Sequence, residues 1–279
     1  RMIYLLGLLT RDVRAVVDDM AGELRRSRFE PLSFELNFGA DPRIPPMELG
    51  GGEDELILTG VADRVDGWVH DNKLYLRVVD YKTGKKEFSL SDVWYGMGLQ
   101  MLLYLFTLEK CGETLYGMEV APAGVLYVPA FDKNVLSASD LSDEEIAQKK
   151  AKVHLRSGLI LNDDAVIAAM EEGTEYQYIP VSVKKRGSSA PDALVSAEDL
   201  GVIARHIDDT LRQLAGELRA GSICADPYYK SQQKNACAYC DYADACYFQE
   251  GRHGDKRRYL RSLPADQVIS QMKGVLPHV

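Results

Sequence analysis

The sequence predicts an α/β protein in which a central mixed sheet is flanked by helices and followed by a C-terminal appendage that carries cysteines. Two extended runs, residues 57–69 and 76–81, flank the polar pair Asp71-Asn72 and predict an antiparallel hairpin. A helical pattern and then an apolar run at residues 124–128 come next. A helix that connects two strands delivers the second strand parallel to the first, so the sheet is expected to contain both strand directions.

The N-terminal part of the chain predicts a helix, a strand and a loop that precede the hairpin. Thr10 is a suitable N-cap for a helix whose apolar positions recur at helical spacing. Residues 29–38 alternate between polar and apolar side chains and predict a strand, with Glu35 on its solvent side. Residues 39–55 are rich in glycine, proline and acidic residues and predict a mobile loop.

The C-terminal half predicts further elements without identifiable chemistry. Residues 140–153 have a helical pattern, residues 157–170 predict a turn and a short helix, and residues 176–183 are strand-like. A long amphipathic helix is expected to begin after the N-cap Ser196 and to stop at Gly221.

Length and composition indicate a folded body that is larger than a small module. The chain has 279 residues, of which 46% are hydrophobic, and this suits one large domain with an appendage. We expect a core at residues 1–222 and a cysteine-bearing segment at residues 223–279. No apolar run is long enough to cross a bilayer and no secretory signal is present, which predicts a cytoplasmic protein without a membrane anchor. The opening at Arg1 suggests a piece of a longer protein.

The net charge of −9 argues against a general attraction to nucleic acid. Binding to DNA would therefore depend on local basic clusters or on partner proteins. Three such clusters occur, at residues 82–86, 184–186 and 252–261, although a charge run is commonly just a solvated face.

Two carboxylates and one ammonium group are expected to meet on the hairpin. With Asp71-Asn72 as the central residues of the turn, residues whose numbers sum to 143 face each other, so Asp63 lies opposite Asp80. Side chains alternate along a strand, and Lys82 therefore shares a face with Asp80.

Two facing acids repel each other, so this arrangement predicts a cation between them. Carboxylate oxygens suit Mg2+ or Mn2+, and such a metal polarises a phosphate while Lys82 holds the attacking water. The pattern therefore predicts metal-assisted phosphodiester hydrolysis. The alternative is that Asp63 and Asp80 are strand-end residues that form surface ion pairs with Arg64 and Lys82.

A helix after the hairpin is expected to support this site. Apolar residues recur at helical spacing from Val93 to Leu108, and Ser91-Asp92 supplies an N-cap. Gln100 and Tyr104 are four residues apart on this helix and share a face.

Three segments together resemble motifs II, III and IV of the RecB-type PD-(D/E)xK nucleases: GVADRVD, VVDYKTGK and YGMGLQMLLYL. Within that family the chain is most similar to the nuclease domains of the B subunits of bacterial AddAB helicase-nucleases. The resemblance implies a restriction-endonuclease-like core in which Asp63 and Asp80 bind Mg2+ and Lys82 positions the water. It also implies that Gln100 and Tyr104 support the site and contact DNA.

The resemblance implies a metal-dependent DNA exonuclease that acts on single strands delivered by a helicase, in double-strand break repair and recombination, with the A subunit as partner. Two alternatives stay open. One is a stand-alone RecB-like exonuclease of the CRISPR adaptation type, against which the additional elements between residues 115 and 221 argue. The other is a non-catalytic DNA-binding scaffold, which has no use for Asp63, Asp80 and Lys82.

The chain has five cysteines, and without an export signal they do not indicate a disulfide framework. Cys237, Cys240 and Cys246 form a C-x2-C-x5-C run, whose spacing suits a soft metal or an iron-sulfur cluster, and a chance group of inert thiols is the alternative. In the similar nucleases this triplet binds a 4Fe-4S cluster together with an upstream cysteine.

This sequence departs from that family pattern in two ways. No cysteine precedes Cys111, and no histidine precedes His70, although many relatives supply a metal-binding histidine from an early helix. Cys224 is near enough in sequence to serve as a substitute ligand. We therefore expect an incomplete cluster in this chain and a complete one in the full-length protein.

Overall fold

The computed structural model describes residues 2–39, 43–44, 46–49, 56–84, 86–130, 155–173, 175–181, 193–252 and 254–274. In chain order the elements are α1 (Met2–Arg25), β1 (Glu30–Phe38), β2 (Met47–Leu49), β3 (Leu56–Leu58), β4 (Gly60–His70), β5 (Lys73–Lys82), α2 (Leu90–Trp94), α3 (Gln100–Tyr116), β6 (Glu119–Pro129), β7 (Ser157–Leu161), α4 (Asp164–Met170), β8 (Leu194–Val195), α5 (Ala197–Arg219), β9 (Tyr228–Tyr229), α6 (Ala243–Cys246), β10 (Arg258–Tyr259) and α7 (Ala265–Met272). None of the helices in these ranges is both long and apolar enough to span a membrane.

The centre of the fold is a six-stranded sheet with the order β1-β4-β5-β6-β7-β8. Neighbouring strands are antiparallel except for β5–β6 and β7–β8, which are parallel. The helix α3 makes the crossover from β5 to β6 and packs on both strands. The predicted mixed α/β architecture is therefore confirmed.

The β4–β5 hairpin has the predicted register. Arg64 is paired with Val79 and His70 with Lys73, so the numbers of facing residues sum to 143. Asp71 and Asn72 have φ angles of 48° and 60°, which are the positive values that a two-residue turn of this twist requires. Local turn chemistry therefore sets which side chains face each other across the two central strands.

The helix α1 begins before the predicted N-cap. Thr10 lies inside the helix, and its Oγ1 donates a hydrogen bond to the carbonyl of Leu6 at 2.8 Å. The prediction of a start at Thr10 is wrong, because the apolar residues before it continue the helical pattern and the threonine hydroxyl is satisfied within the helix.

The helix predicted after the hairpin is divided in two. The short helix α2 has Ser89 as its N-cap, not Ser91-Asp92, and the Oγ of Ser89 accepts a hydrogen bond from the backbone of Asp92 at 3.2 Å. Gly96 and Gly98 follow with φ angles of 77° and 66°. A left-handed backbone cannot continue an α-helix, so α3 starts afresh at Gln100.

Three other predictions need correction. The segment 157–170 begins with the strand β7 and only then forms the helix α4. Where the loop at residues 39–55 and the start of the run at residues 57–69 were predicted, residues 47–49 and 56–58 form a small antiparallel pair, and the hairpin strand β4 begins only at Gly60. Residues 176–181 form no strand, because the backbone amides at 177–179 donate to the carboxylate of Glu171 at 2.7 to 3.1 Å. The helix predicted at residues 140–153 lies outside the described residues.

The helix α5 agrees with its prediction. Its N-cap is Ser196, whose Oγ accepts from the backbone of Asp199 at 3.0 Å, and Gly221 follows the helix with a φ angle of 65°. The C-terminal helix α7 packs against α2 and α5 and buries Val268 completely. The last described helix is thus part of the hydrophobic core.

Candidate active site

Asp63 lies where the β4–β5 ladder ends. The last regular pair is Arg64 with Val79, and at the next position Oδ2 of Asp63 accepts a hydrogen bond from the backbone amide of Tyr81 at 2.8 Å. The carboxylate is thus held against β5, next to Asp80. The hairpin register and this hydrogen bond together place the two acids side by side.

Asp80 is the buried member of the pair, with 6% of its surface exposed. Its Oδ2 lies 2.5 Å from Nζ of Lys82. Burial raises the pKa of Asp80 above its usual value, the negative charge of Asp63 raises it further, and the ammonium groups of Lys82 and Lys86 oppose this rise. The charge of Asp63 thus disfavours the ionised form of Asp80.

Gln100 and Tyr104 lie at the start of α3 and form a hydrogen-bonded pair. Nε2 of Gln100 donates to Oη of Tyr104 at 2.9 Å, and the Tyr104 ring stacks on Phe38 with centroids 4.7 Å apart. The hydroxyl of Tyr104 faces Gly60, where an added Cβ would lie only 2.3 Å from it. The pair therefore packs on the beginning of β4, three residues before Asp63.

The side chains present fit a hard divalent cation. Asp63 and Asp80 offer carboxylate oxygens, and the burial and like charge at Asp80 are penalties that a bound cation relieves. Among the described residues, no three His, Cys, Asp or Glu side chains form a group that could hold a metal. Asp63 and Asp80 would hold such an ion, and Mg2+ commonly binds through one or two carboxylates together with water and substrate oxygens.

Sequence comparison decides the family. A model of the PD-(D/E)XK nuclease superfamily matches residues 4–247. The chain belongs to this superfamily. Asp80, Tyr81 and Lys82, on the second strand of the hairpin, read D-x-K, which is the order of residue types in the (D/E)XK part of the superfamily name.

Relatives of this PD-(D/E)XK chain are named as B subunits of ATP-dependent helicase/deoxyribonucleases. The protein of Desulforudis audaxviator is 34% identical over 275 residues, which cover 96% of this chain and 23% of the relative. The protein of Clostridium kluyveri is 35% identical over 266 residues, which cover 93% of this chain and 23% of that relative. The protein of Listeria innocua is 28% identical over 278 residues, which cover 98% of this chain and 24% of that relative. The chain thus spans about a quarter of the length of these relatives.

The PD-(D/E)XK hairpin also carries a buried ionic network that the sequence did not indicate. Arg64 is fully buried, and its Nε and Nη2 lie 2.9 Å from Asp66 and 3.2 Å from Glu23. Its Nη1 donates to Oη of Tyr81 at 2.7 Å. The expected alternative of a surface pair between Asp63 and Arg64 is therefore wrong, because Arg64 is directed into the interior.

Two more residues adjoin the acids, and the sequence did not single them out individually. Tyr127 on β6 is the ladder partner of Asp80 and is 5% exposed, and burial, followed by the charge of Asp80, raises its pKa to about 12. Nζ of Lys82 and of Lys86 lie 5.8 Å and 5.3 Å from the centroid of this ring. The basic cluster at residues 82–86 was a signal for Lys86, whereas parallel pairing of distant segments gave none for Tyr127.

The cysteines of the PD-(D/E)XK chain lie at its surface. Cys237, Cys240 and Cys246 are exposed free thiols, as is Cys224. The backbone amide of Cys240 donates to the carbonyl of Cys237 at 3.4 Å, which is a turn, and Cys246 closes the short helix α6. The triplet lies inside the segment that matches the superfamily.

Proposed function

We propose that this chain is a deoxyribonuclease domain that uses Mg2+ or Mn2+ to hydrolyse phosphodiester bonds in single-stranded DNA. The observation that carries the proposal is the buried carboxylate of Asp80, held beside Asp63 and in contact with Lys82. Membership of the nuclease superfamily and relatives named as deoxyribonuclease subunits support it.

The residues take distinct roles in this proposal. A metal held by Asp63 and Asp80 would polarise the scissile phosphate and stabilise its developing negative charge. Lys82 donates a hydrogen bond to the attacking water and favours its deprotonated form. Gln100 holds the hydroxyl of Tyr104 against the start of β4, three residues before Asp63. The water releases one proton to solvent as its oxygen bonds to phosphorus, and the leaving oxygen takes up one proton from solvent as its bond to phosphorus breaks.

We further propose that the domain works as an exonuclease within a helicase-nuclease of the AddAB type, in the cytoplasm. The A subunit would be its partner, and single strands produced by the helicase would be its substrate in double-strand break repair. The names of the relatives support this context. The net charge of −9 agrees with a subunit that relies on its complex to guide DNA to the site.

Cleavage of end-labelled single-stranded DNA tests the nuclease proposal. We expect cleavage with Mg2+, none with EDTA, and a decrease on the order of 100-fold or more for Asp80→Asn. Asp71→Asn is the matched control, because this aspartate lies in the turn of the same hairpin with its side chain 86% exposed, and asparagine tolerates its positive φ. Equal cleavage by wild type and Asp80→Asn would remove the proposed site.

We infer that Cys237, Cys240 and Cys246 supply three thiolates to a 4Fe-4S cluster in the full-length protein. Their tight spacing in the sequence supports this inference. Among the described residues the three thiols do not form a group that could hold a metal, so cluster binding would have to draw them together. A fourth ligand would come from outside this chain, or from Cys224 as a substitute.

A further inference from the structure

Lys86 and Tyr127 form a contact beside the acidic pair that the hydrolysis scheme does not use. After β5 the chain bends at Thr83 and Gly84 and brings Lys86 back over the ring of Tyr127. Nζ of Lys86 lies 5.3 Å from the ring centroid, within the range of a cation–π interaction. Lys82 contacts the same ring at 5.8 Å, so one aromatic side chain holds two ammonium groups.

Tyr127, the ring over which Lys86 lies, is held between two neighbouring strands. Tyr127 is buried in β6, where its neighbours in the sheet are Asp80 on β5 and Ser157 on β7. Two residues after Lys86, the backbone amide of Phe88 donates to Oγ of Ser157 at 2.7 Å. The loop that carries Lys86 is thus tied to the sheet next to Tyr127, which keeps the backbone of Lys86 within reach of this ring.

Lys86 adds a positive charge beside Asp63, Asp80 and Lys82. Asp63 and Asp80 repel an approaching phosphate, and Lys82 is half-buried and engaged with Asp80 at 2.5 Å. Lys86 is exposed to solvent, and its Nζ lies over the ring of Tyr127, the ladder partner of Asp80. Its positive charge is therefore open to solvent near the two acids.

We propose that Lys86, held over Tyr127, binds a backbone phosphate of single-stranded DNA beside the cleaved bond and thereby sets the affinity for substrate. Lys86 is the binding residue and Tyr127 is a positioning residue that acts through it. The inference rests on the proposed nuclease function for its substrate, but it concerns binding and not the chemical step.

Binding and kinetics are measured separately to test this inference. Fluorescence anisotropy of a labelled single-stranded oligonucleotide in EDTA gives Kd without cleavage, and cleavage with Mg2+ gives kcat and KM. For Lys86→Gln we expect Kd and KM to rise about 5-fold with kcat within 2-fold of wild type, and the slope of log Kd against log salt to fall by about 0.7. Lys110→Gln is the control, because this lysine lies on α3 with its side chain 72% exposed.

Variants of Tyr127 test whether this residue positions Lys86. Tyr127→Leu removes the ring and is expected to reproduce the loss of affinity of Lys86→Gln, whereas Lys86→Arg and Tyr127→Phe are expected to restore wild-type Kd. Tyr127 is buried, so the thermal unfolding midpoint of each variant is measured alongside. Lys86 is exposed, and Lys86→Gln therefore decides the proposal even where Tyr127→Leu fails to fold.

The outcomes separate this inference from the proposed function. The inference is overturned if Lys86→Gln has the Kd and the salt slope of the wild type. It is also overturned if kcat of Lys86→Gln falls while KM is unchanged, or if the wild type does not bind DNA in EDTA. A wild type that binds through Lys86 but does not cleave with Mg2+ would support the phosphate contact and refute the nuclease proposal.

Discussion

Glu23 is the residue at which the buried positive charges of this protein converge. Its Oε1 accepts from Arg64 at 3.2 Å and from Arg77 at 3.0 Å, and its Oε2 accepts from Arg156 at 2.8 Å. Burial by itself would raise the pKa of Glu23, but the charges of Arg77, Arg156 and Arg64 outweigh burial and lower this pKa to about 2. One carboxylate therefore ties α1 to both strands of the β4–β5 hairpin and to the residue before β7.

Replacing Glu23 by glutamine is expected to lower the free energy of unfolding by about 3 to 5 kcal/mol, because three buried guanidinium groups lose a shared counter-charge. Urea titration followed by circular dichroism measures this. Asp18→Asn on the exposed side of the same helix is the control and should cost under about 0.5 kcal/mol. An equal decrease in the free energy of unfolding of Glu23→Gln and Asp18→Asn would contradict a special role for Glu23.

The low pKa of Glu23 leads to a prediction about stability in acid, which is tested by comparing the wild type with Glu23→Gln. Because the folded pKa of Glu23, about 2, lies below its ordinary value of 4.5, its stabilisation is present above pH 4.5 and is lost as the pH falls toward 2. The wild type should therefore lose stability across this window more steeply than Glu23→Gln. Parallel curves for the two proteins would refute the assignment.

Among the secondary-structure elements, the contact between β4 and α3 connects the two halves of the candidate site. Gly60 at the start of β4 leaves room for Tyr104 of α3, whose ring is buried and stacked on Phe38. A Cβ at Gly60 would lie 2.3 Å from the hydroxyl and 2.9 Å from the nearest ring carbon of Tyr104. The ring is buried against these two neighbouring residues of the sheet and has little room to move away.

Gly60→Ala is expected to destabilise the protein by about 1 to 3 kcal/mol through this overlap and to reduce DNA cleavage by displacing Tyr104. Gly216→Ala is the matched control, because nothing lies within 4 Å of an added Cβ there and alanine is the better helix former. It should gain about 0.5 to 1 kcal/mol. Thermal unfolding of both variants measures the contrast, and a Gly60→Ala protein as stable as the wild type would show that Tyr104 is not confined.

In the whole molecule, the C-terminal segment is fastened to the core at α2 and α5. Lys230 forms an ion pair with Asp92, and Oγ of Ser91 donates to the carbonyl of Arg261 at 3.3 Å and accepts from the amide of Leu263 at 3.1 Å. The buried Val268 of α7 completes this packing. The proposed division at residue 222 thus separates segments that share contacts, and it stays a prediction.

The proposed cluster makes a prediction about the full-length protein. Iron analysis and visible absorption should show a 4Fe-4S cluster that Cys240→Ser loses, because a cluster needs all of its thiolate ligands. Cys111→Ser, a half-buried cysteine on α3 outside the triplet, should keep it. The chain of 279 residues, with no cysteine before Cys111, should hold less iron than the full-length protein. Full iron content in Cys240→Ser would exclude the triplet as the cluster site.

The predictions that failed share a physical cause. One continuous helix was expected after the hairpin, because apolar spacing does not report the left-handed backbone at Gly96 and Gly98. A strand was expected at residues 176–183, because its β-branched and aromatic residues do not reveal that the carboxylate of Glu171 captures the amides at 177–179. In both places backbone conformation or a side chain from another segment overrides the local pattern.

Local sequence was enough to specify the hairpin, its register and the superfamily, because turn chemistry at Asp71-Asn72 and strand alternation set which residues face each other. Long-range packing was needed to direct Arg64 into the interior toward Glu23 and to place Tyr127 beside Asp80. These contacts join segments far apart in the chain, and their energies depend on burial and on charges that no local pattern contains.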